Sequence, residues 1–184
     1  MKLAYLLTVV AALSGCTNRA SLPSFGVVPD FVLTDQSGRE FRAGERLNGK
    51  VWVANFIFTN CAGPCPRMSS QMRQVRGSTK SGDVRFVSFT IDPARDTPAV
   101  LAEYGKRFGA DSEQWFFLTG KQKDLHHLKR NVFMLGDVDG SLEHSTRFVL
   151  VDRHSRIRGF YDSSDLESLE TLITDLAAVA RSSD

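Results

Sequence analysis

The stretch that most constrains this 184-residue chain is Phe56-Ile57-Phe58-Thr59-Asn60-Cys61-Ala62-Gly63-Pro64-Cys65-Pro66, where an apolar run ends in two cysteines with three residues between them. Val51 to Phe58 is rich in β-branched and aromatic residues and too short for a buried helix, which predicts a core strand. Pro64 and Pro66 suit the first turn of a helix, where a missing N–H costs nothing. A strand feeding a helix through a cysteine loop puts both sulfurs at the carboxyl end of a sheet. There the partial positive charge of the helix N-terminus is expected to favour thiolate over thiol.

The remaining cysteine has a different setting. Met1-Lys2 is a one-charge leader, and Leu3 to Leu13 is an apolar run with the length of a signal-peptide core, too short for a membrane span. It ends in Leu13-Ser14-Gly15-Cys16, which resembles the bacterial lipobox; the resemblance implies that Cys16 is lipidated and becomes the mature N-terminus. Several acyl chains would then hold the protein at a membrane. The expected organisation is a lipoprotein signal peptide over 1–15, the lipidated Cys16 and a flexible tether over 16–28, and one domain over 29–182. A composition of 42% hydrophobic and 24% charged residues suits a single globular core, and a formal charge of +2 gives no basis for nucleic-acid binding or electrostatic attraction to a membrane. The domain is expected outside the cytoplasm, where exposed thiols tend to become disulfides. Cys61 and Cys65 are then a structural disulfide, a redox pair or a metal site, and their spacing leaves all three open.

Pro29 to Thr34, the turn Asp35-Gln36-Ser37-Gly38, and Arg39 to Arg42 predict an N-terminal β-hairpin. Met68, Met72 and Val75 recur at helical spacing after the cysteines; although thioether is a copper ligand type, that periodicity favours core packing. Val84 to Ile91 is a second core strand, ended by Asp92 and Pro93. Asp96 or Thr97 is expected to cap a helix that begins at Pro98 and turns Val100, Leu101, Tyr104 and Phe108 inward. Asp92 and Asp96 are read as strand-ending and capping residues rather than as paired acid and base. Gln114 to Leu118 is a third strand. Lys121 to Arg130 is a helix on which His126 and His127, being adjacent, cannot chelate and face solvent. Asp137 to Gly140 is a turn, Arg147 to Val151 and Arg156 to Tyr161 form a closing hairpin with a solvated His154 at its tip, and Asp165 starts a helix with Leu166, Leu169, Leu172, Ile173 and Leu176 buried. The predicted class is α/β: a thioredoxin-like fold, a central mixed sheet flanked by helices, preceded by a β-hairpin.

Three motifs in register carry a family resemblance. Phe56 to Cys61 with Cys65-Pro66, then Ser88-Phe89-Thr90-Ile91-Asp92-Pro93 to Asp96-Thr97-Pro98, then His144-Ser145 before Phe148-Val149-Leu150-Val151-Asp152, resemble the Sco/SenC family of copper proteins over roughly residues 29–180. Ala62 departs from the family pattern, which often has proline after the first cysteine. The resemblance implies metal ligands Cys61, Cys65 and His144, with Cys61 and Cys65 also redox-active. Two thiolates and an imidazole form a soft donor set that suits Cu(I) and can hold Cu(II). It further implies a monomeric copper metallochaperone rather than an enzyme, acting on a copper A-bearing oxidase subunit or another periplasmic copper carrier. The alternative on the same residues is a thioredoxin-type thiol-disulfide reductase. Against it stand three intervening residues instead of two, and Thr146 where such reductases have proline. A peroxiredoxin lacks its threonine-to-cysteine pattern here, and zinc would want a fourth ligand.

Overall fold

The computed structural model describes residues 22–79, 82–111, 113–136 and 145–182. The central elements follow from the sequence. The apolar run forms β4 (Val51–Ile57), all seven residues buried, and the cysteine loop feeds α2 (Pro64–Ser78) with Pro64 in its first turn. After it come β5 (Val84–Thr90), α3 (Pro98–Arg107) and β6 (Trp115–Thr119). The chain closes with β7 (Arg147–Val151), β8 (Arg156–Asp162) and α5 (Leu166–Arg181). Ahead of this core lie β1 (Gly26–Val27), β2 (Val32–Asp35), β3 (Glu40–Arg42) and a single helical turn, α1 (Ala43–Arg46).

Among the described residues these strands form one mixed sheet in the order β1-β8-β7-β4-β5-β6-β2-β3. β4, β5 and β6 are parallel, whereas β7 runs antiparallel to both β4 and β8. The predicted hairpin β2–β3 docks antiparallel on β6, at the edge far from β8. Strands buried on both faces read as continuous apolar runs, as β4 does. Its Val53 and Ile57 face a core shared with α2, α3 and α5, and its Trp52, Ala54 and Phe56 face a second core under the hairpin and Leu125. The first core contains one polar rung. Trp115 Nε1 donates to Ser88 Oγ at 3.0 Å, and Ser88 Oγ donates to Asn55 Oδ1 at 2.7 Å, linking β6, β5 and β4.

Several expectations are corrected. Part of the segment read as tether is fixed: Phe25 N–H donates to Ile157 O, Val28 N–H to Ser155 O, and Gly26 and Val27 pair with β8. Two residues are too few to show periodicity in sequence. The predicted helix Lys121 to Arg130 is α4 (Gln122–His127) followed by a π-helical turn, Leu128–Val132, which turns Leu128 and Lys129 inward. His127 is exposed, but His126 is half-buried. Leu166, the first residue of α5, is 74% exposed, and Val100 of α3 is 39% exposed while Leu101, Tyr104 and Gly105 bury that helix's inner face. Met68 and Met72 are fully buried in the core, as the periodicity indicated.

The β7–β8 ladder slips between Leu150 and Val151, and this bulge lets Tyr161 turn into the first core while Ile157 faces the second. Tyr161 Oη donates to the buried Asp175 at 3.0 Å, and its ring lies over Gly159, where a Cβ would collide with the phenol. Gly159→Ala must therefore displace Tyr161 and break that bond. Urea unfolding should show a loss of about 3 kcal/mol.

Candidate metal centre

β4 ends at Ile57, and Cys61 N–H donates back to Phe58 O at 3.3 Å, closing the turn that carries the cysteines. Gly63 is the N-cap of α2, and Cys65 lies in its first turn. Both cysteines are free of a disulfide and buried: Cys61 is 7% exposed and Cys65 fully enclosed. Cys65 N–H, one of the donors a helix start leaves unmatched, donates to Cys61 Sγ at 3.5 Å. The first sulfur thus caps the helix that holds the second.

The expectation of a thiolate at the helix N-terminus fails for Cys65. Burial pushes its thiol up to about 12, aided by the hydrogen bond with Cys61 and the negative charge of Asp96, and the Phe58 backbone opposes this only in part. Desolvation outweighs the helix field here. Cys65 is a protonated thiol at neutral pH, and a soft cation would have to displace that proton.

The groups around the cysteines include two that the sequence concealed. Asp96 is fully buried and does not cap α3; Thr97 does, accepting from Val100 N–H at 3.4 Å. Asp96 instead accepts from Thr59 Oγ1 and Thr90 Oγ1 at 2.5 Å each and from Thr59 N–H at 3.2 Å. One carboxylate therefore ties the cysteine loop to the end of β5. Asp92 ends β5 as expected, pairing with Arg95 at 2.7 Å. The second group is Tyr104, whose hydroxyl shares a 3.0 Å hydrogen bond with Ser69 Oγ of α2. Burial raises it to about 12, with smaller contributions from Cys65 and Cys61. A helical apolar stripe announces a core tyrosine but not its neighbours.

β7 is antiparallel to β4, so the chain enters β7 at the cysteine end of the sheet. Ser145 and Thr146 make that entry; Thr146 O accepts from Ser163 N–H at 2.8 Å. His144 lies outside the described residues, as does Cys16. Among the described residues no group of three histidine, cysteine or acidic side chains is placed to hold a metal, so only the two sulfurs of the expected donor set are seen together. Two buried sulfurs side by side suit a soft, weakly hydrated cation better than a hard one.

Two measurements test this arrangement. Asp96→Ala leaves the Thr59 amide and two hydroxyls unmatched in the interior, and should cost about 3 kcal/mol in urea unfolding while speeding the reaction of Cys61 with a thiol reagent. Cys65 and Tyr104 both titrate above their ordinary values of 9.0 and 10.0 in the folded chain. Their stabilisation is complete below those values and is lost as pH climbs toward about 12, so the melting temperature of the reduced protein should fall progressively above about pH 9.

Comparison with known proteins agrees with this fold. A SCO1/SenC lipoprotein from Bacillus anthracis superposes with a TM-score of 0.78 at 32% identity, covering 88% of this chain and 100% of its own. BsSco, described as a member of the Sco family of cytochrome c oxidase assembly proteins and as containing a disulfide switch, gives 0.74 at 28% identity, with 86% and 96% covered. Yeast Sco1 with copper bound gives 0.62 at 27% identity, with 85% and 94% covered. The fold is thus the thioredoxin-like fold of the Sco proteins. The SCO1/SenC family pattern matches residues 20–181, and the chain belongs to that family.

Proposed function

We propose that this protein is a membrane-anchored, extracytoplasmic copper carrier that delivers copper to the copper A site of a haem-copper oxidase, or keeps that site's cysteines reduced. The observation that carries the reading is the buried pair Cys61 and Cys65, side by side at the start of α2. Copper is its cargo, held by the two sulfurs and the imidazole of His144. The position of His144 supports this, because it immediately precedes Ser145 and Thr146, the residues that enter β7 at the cysteine end. Copper bound to the yeast relative, and the oxidase-assembly role described for BsSco's family, support the cargo and the destination.

Three ligands leave a coordination position open, through which an acceptor thiolate can attack before the donor releases. Oxidation of Cys61 and Cys65 to a disulfide removes both sulfurs, so cargo binding depends on the redox state of the pair. The acyl chains on Cys16 keep the carrier at the membrane. The second reading, a thiol-disulfide reductase, draws on the unequal exposure of the pair, with Cys61 at the rim and Cys65 enclosed, as an attacking and a resolving thiol would be.

Titration of the reduced full chain with Cu(I) should give about one metal per chain and release the Cys65 proton at neutral pH, and Cu(II) loading should give an electron paramagnetic resonance spectrum of sulfur and nitrogen ligation. Cys61→Ser combined with His144→Ala should abolish stoichiometric binding, as should oxidation to the disulfide. Retention of one copper by the double variant would place the site elsewhere. A strongly reducing disulfide in a chain that binds no copper would favour the reductase.

A further inference from the structure

The folded body begins close to the expected anchor. Arg158 donates to Leu22 O, and the Leu22 side chain packs against the first core, so the chain is fixed to the domain from Leu22 onward. Six residue steps separate Cys16 from Leu22. Fully extended, they reach about 20 Å. A domain of this length has a radius of gyration of about 15 Å, so it is wider than its leash is long. If Cys16 carries lipid, the side of the domain next to Leu22 has to face the bilayer.

That side has the composition of a lipid-headgroup contact. The edge strand β1 exposes Val27 (65%) and the preceding Phe25 (49%), whose ring packs edge-on against Phe160 at 5.2 Å. Arg156 pairs with Val27 across the β1–β8 ladder, and Arg153, Arg158 and Arg181 belong to the β7–β8 turn, β8 and the end of α5. Arg156 and Arg158 converge on Asp152 at 2.8 and 3.0 Å, which offsets one of their charges. Arg153 donates to the carbonyl oxygens of Val179, Ala180 and Ser182 at the end of α5, beside the exposed Arg181. Asp83, the acidic group whose carboxyl feels Arg153, is paired with Lys50 at 2.7 Å. Arg158 is largely buried, so Arg153, Arg156 and Arg181 are the cations this edge offers beside its exposed apolar residues, a combination that an anionic interface attracts. The formal charge of the whole chain, +2, gives no sign of these four arginines, which come from two separate segments.

We propose that the edge formed by β1, the β7–β8 turn and the end of α5 is a membrane-docking surface for anionic phospholipid. The proposal rests on lipidation of Cys16. Its consequence is an orientation. β8 starts at this edge and runs seven residues to the cysteine end, a rise of about 20 Å, so the cysteines point away from the bilayer.

The test uses the full lipidated chain, purified from bacterial membranes and reconstituted into phosphatidylglycerol–phosphatidylcholine vesicles with brominated acyl chains. Val27→Trp places a fluorophore on the docking edge and Leu166→Trp places one at the cysteine end; native Trp52 and Trp115 are buried and contribute a constant background. Emission of the Val27→Trp variant should be quenched about twofold more than that of the Leu166→Trp variant, and the difference should shrink with Arg181→Glu or in vesicles of phosphatidylcholine alone. Equal quenching of the two variants, with acyl chains confirmed on Cys16 by mass spectrometry, overturns the orientation and leaves the anchor intact. An unmodified Cys16 overturns the anchoring itself, and the orientation with it. A blue shift of the Val27→Trp emission that grows with protein concentration in the absence of vesicles shows that a second copy covers the edge, and also overturns it.

Discussion

The arrangement of the site depends on one buried carboxylate. Asp96 sits in the connection after β5, yet its bonds go to Thr59 in the cysteine loop and to Thr90 at the strand's last residue. A loop at the end of a parallel sheet has no hairpin partner to set its course, because its neighbour strand arrives through a long crossover. Asp96 supplies that missing cross-link between segments 37 residues apart. A carboxylate acceptor with three donors, two of them at 2.5 Å, is among the stronger hydrogen-bond arrangements a protein interior offers. The loop is thereby held by its stem, while Ala62 and Gly63 stay exposed at its tip.

Enclosure and reactivity are set against each other at the sulfurs. A thiolate at a helix start would be a ready nucleophile, open to oxidation in the compartment this chain is expected to occupy. Burial keeps Cys65 protonated, and the neighbouring hydroxyl of Tyr104 is held neutral by the same cause. A thiol held protonated is a poor nucleophile, so Cys65 is quiet toward oxidants for as long as it keeps its proton. The family's copper-bound yeast member carries this fold with its metal in place.

The core strands and the helix register were legible because period and length speak directly: seven buried residues in β4, a proline at the helix start, and Met68 and Met72 one turn apart. The α/β class followed from the alternation of strand and helix, whereas the order of the strands came only with the structure. What stayed hidden has a common physical origin. Asp96 stands one residue before a helix cap, where a carboxylate that caps and one that is buried look the same in sequence. The helix field at Cys65 can be read from the prolines, but the desolvation that overrides it depends on residues brought in from α3 and β4. Leu166 matches the apolar spacing of α5, yet as the first residue of that helix it is exposed, while Leu169, Leu172 and Leu176 are buried. The cationic edge draws on residues from the β7–β8 hairpin and the last turn of α5, so no local run reveals it.

The bond from the Cys65 amide to Cys61 Sγ gives the molecule a signal of its own. A backbone N–H in the first turn of a core helix has a fixed position, and here its acceptor is the atom on which the chemistry of the site centres. Whatever occupies the sulfur's lone pairs, a second sulfur or a metal ion, alters the electron density that this hydrogen meets. The chemical shift and exchange rate of a single amide therefore report whether the pair is free, bridged or loaded, without any label at the site.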